Sequence, residues 1–258
     1  MTEENESGDR QFVTALARGL DILSCYKKGD RFLSNQELAR RTGLARPTVS
    51  RLTYTLTKTG HLIRDENSGE YRLSPKALRL GFSVLAAVDI SERFALDMQA
   101  LSKGPNPYVT VALAEQSGTR AVYLAALRSH QAISLSVSVG ARLPLFYSAI
   151  GRAILAAMSE AKRARILAQG IREFPGQRER MEQGVRDALR DYATYGYCTS
   201  FGSWKPESNA IAAPLISADG TTLYGVNVGG PSFLVTPEEL HTEYGPRLLD
   251  ALADIGPQ

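Results

Sequence analysis

Residues 33–73 read LSNQELARRTGLARPTVSRLTYTLTKTGHLIRDENSGEYRL. The order of start and stop signals in this stretch leaves few folds open. Ser34 precedes a helical run and Glu37 follows three positions later, the spacing of a capping box that satisfies two orphan backbone N–H groups. Thr42-Gly43 ends that run, because glycine accepts the left-handed backbone of a helix terminus. Leu44 is placed as an apolar plug before a second helix, which opens at Arg46-Pro47, where proline loses no hydrogen bond. Val49, Leu52 and Leu56 recur at helical spacing and should face a core. Gly60 closes the helix, and 61–64 and 70–73 read as two strands around the turn 65–69. Helix, tight turn, Pro-led helix and hairpin in this order make a winged helix-turn-helix.

In that motif the N-terminal end of the second helix enters the major groove of duplex DNA. Arg46, Pro47, Thr48, Ser50 and Arg51 stand at that end and are the expected contacts. Arginine can grip guanine with two hydrogen bonds, while Ser and Thr bond several base edges or phosphates. Arg64 and Arg72, on the wing, are candidates for phosphate or minor-groove contact. Charge supports the reading. Residues 10–80 hold 14 Lys and Arg against 6 Asp and Glu, whereas 81–258 hold 16 against 17. A basic front half suits a phosphate backbone.

The chain also resembles the IclR family of transcriptional regulators. The likeness runs through ALARGLDILSCY, the helix-turn-helix stretch and GEYRLSPKALRLG. Far downstream, RLPLFYSAIGRAILAAM is similar to the family's segment entering a helix beside an effector pocket. YGYCTSFGSWKPESNAIAAPLISADGTTLYGVNVGGP is similar to its terminal core strands. The resemblance implies an α+β protein: an N-terminal winged helix-turn-helix, a linker helix, and a C-terminal GAF-like antiparallel sheet with packed helices. The expected organisation is a disordered lead over 1–9, the DNA-binding domain over 10–74, the linker helix over 75–89, and an effector-binding and oligomerisation domain over 90–258.

Within this plan, 14–26 reads as a first helix with Leu16, Leu20 and Leu23 on one core stripe. The linker is unusually apolar, and either a partner chain or the chain's own core would bury it. Beyond it, 90–101, 148–158, 178–195 and 237–253 read as helices. Residues 108–114, 121–127, 133–139, 210–216 and 222–228 read as strands. Strands and helices without regular alternation indicate an α+β sheet.

The resemblance carries an effector pocket onto Ala149, Ile150, Ser200, Ala210, Asn227 and Gly229. Ala149 and Ile150 would offer helix N-terminal N–H groups, which favour an anion. Ser200 stands where relatives often carry an acid and, with Asn227, would complete the anion's hydrogen bonds, while Ala210 stands where some relatives carry cysteine. Such a pocket is less polar than one for the smallest oxo-acids. With Trp204 and Phe201 as an aromatic wall, a larger organic carboxylate is expected, aromatic acids included.

Other classes find little support. GxSxG, Walker and Rossmann patterns are absent, and Glu115, Asp187 and Asp191 lack an acid–base partner pattern. No catalytic residue, cofactor or metal is expected, since the two cysteines and three histidines are scattered. No run of about twenty apolar residues occurs, so no membrane partner is expected. The polar lead does not read as a signal peptide, and a cytoplasmic setting follows. The expected partners are an operator of inverted-repeat duplex DNA, the carboxylate effector, and further copies of the chain in a homodimer or tetramer. The alternative is a GAF-like sensor module or enzyme without DNA regulation.

Overall fold

In the computed structural model the described residues are 11–27, 29–86, 90–131, 138–217 and 219–253. The lead 1–9 and most of the strand expected at 133–139 lie outside them. The chain forms two compact units, 1–88 and 89–258.

The first unit holds α1 (Thr14–Ser24), α2 (Asn35–Thr42), α3 (Arg46–Lys58), the paired strands β1 (Leu62–Arg64) and β2 (Tyr71–Leu73), and α4 (Pro75–Ala86). Ser34 caps α2, its Oγ accepting from Glu37 N–H at 3.2 Å. The reciprocal half of the capping box is not made. Glu37 turns instead to Arg40 and Arg41, and Arg41 also pairs with Asp30. These bonds hold the Glu37 carboxyl down at about 2. Gly43 ends α2 at φ 71°, the left-handed geometry its sequence position demands. Ile22, Leu33, Leu38, Val49, Leu62 and Tyr71 form the core. Leu44, Leu52 and Leu56 pack on it half-buried. The stripe expected on α1 is corrected: Leu16 and Leu20 are exposed, and Gly19 and Ile22 face inward. No residue of α4 is buried, so its apolar face does not serve this chain's own core.

Among the described residues the second unit is built on six antiparallel strands in the order β5-β4-β3-β8-β7-β6. They are β3 (Thr110–Ser117), β4 (Arg120–Leu127), β5 (Arg142–Pro144), β6 (Cys198–Phe201), β7 (Ser208–Ile216) and β8 (Leu223–Pro231). Helices α6 (Ala149–Ala157), α7 (Glu160–Glu173) and α8 (Arg178–Tyr195) belong to one side, with α6 directly on β6, β7 and β8. On the other side lie α5 (Ile90–Ser102) and the closing run Pro237–Glu239, Leu240–Tyr244 and Gly245–Ala253, which contains one π turn. Alternation along the strands feeds both layers. Ala112, Ala114, Tyr123, Cys198 and Ala212 pack with α6 and α8. Small residues let the layers close. A Cβ on Gly225 would lie 2.8 Å from Ile150 Cγ1, and one on Gly184 would lie 2.1 Å from the Phe146 carbonyl oxygen.

A buried charge network ties α6 to the outermost strand. Arg152 donates to the carbonyls of Phe146 at 3.2 Å and Thr199 at 2.8 Å, and faces Asp187 at 3.5 Å. Asp191 accepts from both the N–H and hydroxyl of Thr199. Side chains, not a strand, thus occupy both main-chain groups of Thr199.

Candidate DNA-reading face and effector cavity

Helix α3 turns Val49 and Thr53 inward and leaves one face open. Thr53 Oγ1 bonds the Val49 carbonyl and meets Asn35 Oδ1 at 3.3 Å, which fixes α3 against α2. Arg46, Pro47, Ser50 and Arg51 lie exposed, as a reading helix requires. Thr48 is half-buried and, with Arg51, borders an open groove of about 860 Å³ between α1 and α3. The open face continues beyond the expected residues. Tyr54 is 64% exposed, and Lys58 holds its ammonium 5.5 Å from the tyrosine ring centroid. On the wing, Ile63 pairs with Arg72 and Arg64 with Tyr71. Strand alternation therefore sends Arg64 and Arg72 to opposite faces of the hairpin.

In the second unit, all six expected effector residues stand on one side of the sheet or at the start of α6, and all six line one cavity. Thr110, Gly229, Ala210 and Ser200 form a single row across β3, β8, β7 and β6. Ser148 caps α6: its Oγ accepts from Gly151 N–H at 3.2 Å and donates to the Pro144 carbonyl at 2.7 Å. The N–H groups of Ala149 and Ile150 make no backbone hydrogen bond among the described residues, although both residues are buried. Asn227 adds a third donor. Its Oδ1 accepts from the Tyr123 hydroxyl at 3.2 Å, leaving the amide nitrogen without a protein partner among the described residues. Burial pushes the Tyr123 phenol well above its usual range, so it acts as a neutral donor. Among the described residues no charged side chain lines the cavity.

Two expectations change. Ser200 spends its proton on the Tyr147 carbonyl at 2.7 Å, so it is an acceptor rather than a free donor. Phe201 faces away and packs edge-on against His241, 5.4 Å between centroids. Trp204 does line the cavity, and Lys205 sits over its ring. The cavity itself is tight, about 20 Å³. That is room for one or two waters. An organic acid would have to displace a wall, and among the described residues the loop carrying Trp204 is the only wall outside regular structure apart from the cap at Ser148.

Comparison with known proteins decides the affiliation. The model for the IclR helix-turn-helix domain matches residues 15–66, and that for the bacterial transcriptional regulator IclR C-terminal domain matches 82–256. The chain belongs to the IclR family of transcriptional regulators. It is 31% identical over 246 residues to the HTH-type transcriptional regulator TsaQ1/TsaQ2 of Comamonas testosteroni, covering 94% of this chain and 87% of that protein. The crystal structure of an IclR family transcriptional regulator from Brucella abortus superimposes with a TM-score of 0.84 at 39% identity, covering 98% and 95% of the two chains. An IclR homologue from Microbacterium hydrocarbonoxydans, crystallised with 4-hydroxybenzoate, shares the fold with a TM-score of 0.72 at 22% identity, covering 93% and 96%.

Membership in the IclR family makes the chain a helix-turn-helix regulator rather than an enzyme. Among its described residues no helix is long and apolar enough to cross a membrane. For this IclR-family chain, sequence reasoning missed Tyr54 and Lys58 on α3, and Thr110, Tyr123, Leu143, Ser148 and Ser208 around the cavity. Tyr54 was within reach of sequence: on a wheel of 100° per residue it falls between Ser50 and Arg51. The cavity residues were not, because their meeting depends on strand register.

Proposed function

We propose that this regulator reads an inverted-repeat operator through α3 and that a small organic carboxylate, bound in the cavity at α6, alters that reading. The observation that carries the effector half is the presence in one cavity of the Ala149 and Ile150 N–H groups and an Asn227 amide nitrogen that, among the described residues, have no hydrogen-bonding partner and no charged side chain beside them. Helix N-terminal N–H groups favour an anion, and neutral donors add to them. The apolar walls given by Leu143, Ile150 and Trp204 favour a hydrophobic, aromatic acid. The 4-hydroxybenzoate held by the Microbacterium homologue fits that class. Paired half-sites supply the affinity that one helix lacks. The uncovered apolar faces of α1 and α4 support a homodimer or tetramer, acting in the cytoplasm.

The test is a mobility-shift titration on a duplex selected from random sequence, with and without aromatic carboxylates. Arg46→Ala, Arg51→Ala and Tyr54→Ala should each lose roughly 1–3 kcal/mol of specific binding while the fold persists. Unchanged affinity in all three would show that α3 is not the reading helix. No carboxylate effect on wild-type binding would remove the effector half and leave the DNA half standing.

A further inference from the structure

A second cavity of about 100 Å³ lies behind the segment that closes the first. Residues 143–148 form the shared wall. Leu143 and Ser148 face the effector cavity, while Pro144, Phe146 and Tyr147 face the second. Phe174 and Met181 complete an apolar floor. Arg120 lines this cavity and Arg180 stands over the ring of Tyr147, another lining residue, whereas no charged side chain among the described residues lines the first. The Arg180 guanidinium lies 4.1 Å from the Tyr147 ring centroid, and that of Arg120 lies 5.4 Å from the Phe174 centroid. Neither makes an ion pair among the described residues.

The nearby carboxylate does not neutralise them. Glu173 is engaged by neutral donors, Thr119 Oγ1 at 2.7 Å and Gln169 Nε2 at 2.8 Å. The Tyr147 hydroxyl donates to Gln177 Oε1 at 2.8 Å, which leaves the Gln177 amide nitrogen as a further donor at the rim. Burial raises the Tyr147 phenol, and the charges of Arg180 and Arg120 both oppose that rise. Two guanidiniums beside aromatic rings, with an apolar floor close by, suit an anion with a hydrophobic body. The guanidinium fork matches a carboxylate in two parallel hydrogen bonds. A thioether beside an aromatic ring adds a favourable contact for an arene.

We propose that this cavity is an accessory site for a small aromatic carboxylate, with the carboxylate held by Arg120 and Arg180 and the ring laid against Phe174 and Met181. The site is wired to the first cavity by two contacts. Arg180 Nη2 donates to the Ser203 carbonyl at 2.6 Å, next to Trp204. The Tyr147 carbonyl accepts from Ser200. A guest that draws on Arg180 therefore loosens the loop carrying Trp204, the one tryptophan of the chain.

The full chain is titrated with sodium benzoate at constant ionic strength, read by calorimetry and by Trp204 emission. Benzyl alcohol serves as the neutral probe of similar shape. Saturable benzoate binding should survive Asn227→Leu, which alters only the first cavity, and should weaken roughly tenfold in Arg120→Gln and in Arg180→Gln. Benzyl alcohol should not compete. Thermal unfolding midpoints confirm that each variant is folded. Wild-type affinity in either arginine variant overturns the proposal, as does loss of all benzoate binding in Asn227→Leu or no saturable binding by the wild type. Since the proposal does not need the first cavity to bind anything, failure through an arginine variant or through Asn227→Leu leaves the effector reading intact, whereas no saturable binding by the wild type counts against benzoate at both cavities.

Discussion

Arg152→Met is the sharpest test of how α6 is held in place. Methionine keeps most of the side-chain volume, so packing against α6 and α8 changes little. What disappears is the donor set. The carbonyls of Phe146 and Thr199 lose partners at 3.2 and 2.8 Å, in a site where Arg152 itself is 7% exposed. Each buried carbonyl left unsatisfied costs about 1–3 kcal/mol. Two effects temper the total. Burial already lowers the Arg152 pKa, so removing the guanidinium relieves a desolvation cost. Asp187 is not stranded, because Arg190 still meets it at 3.0 Å. The net loss should be about 2–4 kcal/mol. At roughly 2–4 °C per kcal/mol for a unit of this size, Tm falls by about 4–16 °C. Trp204 lies in the second unit, so its emission during urea unfolding follows that unit alone. A loss below about 1 kcal/mol would refute the reasoning and show that relieved desolvation outweighs the stranded carbonyls.

Asn227→Leu should remove a donor and crowd the cavity, abolishing a carboxylate response of about 1–3 kcal/mol in operator affinity while leaving basal DNA binding intact; a full response in that variant, measured by mobility shift, contradicts the cavity assignment. Gly184→Ala places a Cβ 2.1 Å from a backbone oxygen and should cost about 1–3 kcal/mol by urea unfolding, despite the better helix propensity of alanine. Gly19→Ala, which meets nothing within 4 Å, should instead stabilise α1 by about 0.5–1 kcal/mol. The Glu37 carboxyl is held at about 2 in the fold against an ordinary 4.5, so its contribution is complete above pH 4.5 and drains away as pH falls towards 2. Far-UV circular dichroism of acid unfolding should show this slope in the wild type and a shallower one in Glu37→Gln.

Local signals made the DNA-binding unit legible. Ser34, Gly43, Pro47 and Gly60 act within a few residues of themselves, and each marks the boundary it announces. The capping box was only half legible, because Glu37 had Arg40 and Arg41 within reach, a stronger offer than a backbone N–H. In the second unit, β7 and β8 were expected close to where they run, since apolar alternation marked them. Helix α7 escaped notice even though Ser159 caps it, because Ile166 and Gly170 are its only buried positions and the rest reads as a polar connection. Strands β5 and β6 are too short for a period to show. Cavity residues brought by the resemblance fell together, but their hydrogen-bond states did not follow from residue type. Ser200 looks like a donor in sequence and is already spent in the fold.

The way Thr199 is satisfied has a consequence for self-association. A sheet ends in two rims, and an open rim is a template on which another chain can add a strand. Among the described residues one rim, β5, is three residues long. The other, β6, has Asp191 and Arg152 seated on the main-chain groups of Thr199, so an incoming strand must first break charged contacts in a buried place. Copies of this regulator are thereby steered away from rim-to-rim growth. A variant that breaks the Arg152–Asp191 arrangement exposes a ready template, and its damage should surface as concentration-dependent precipitation before any loss of DNA binding is measured.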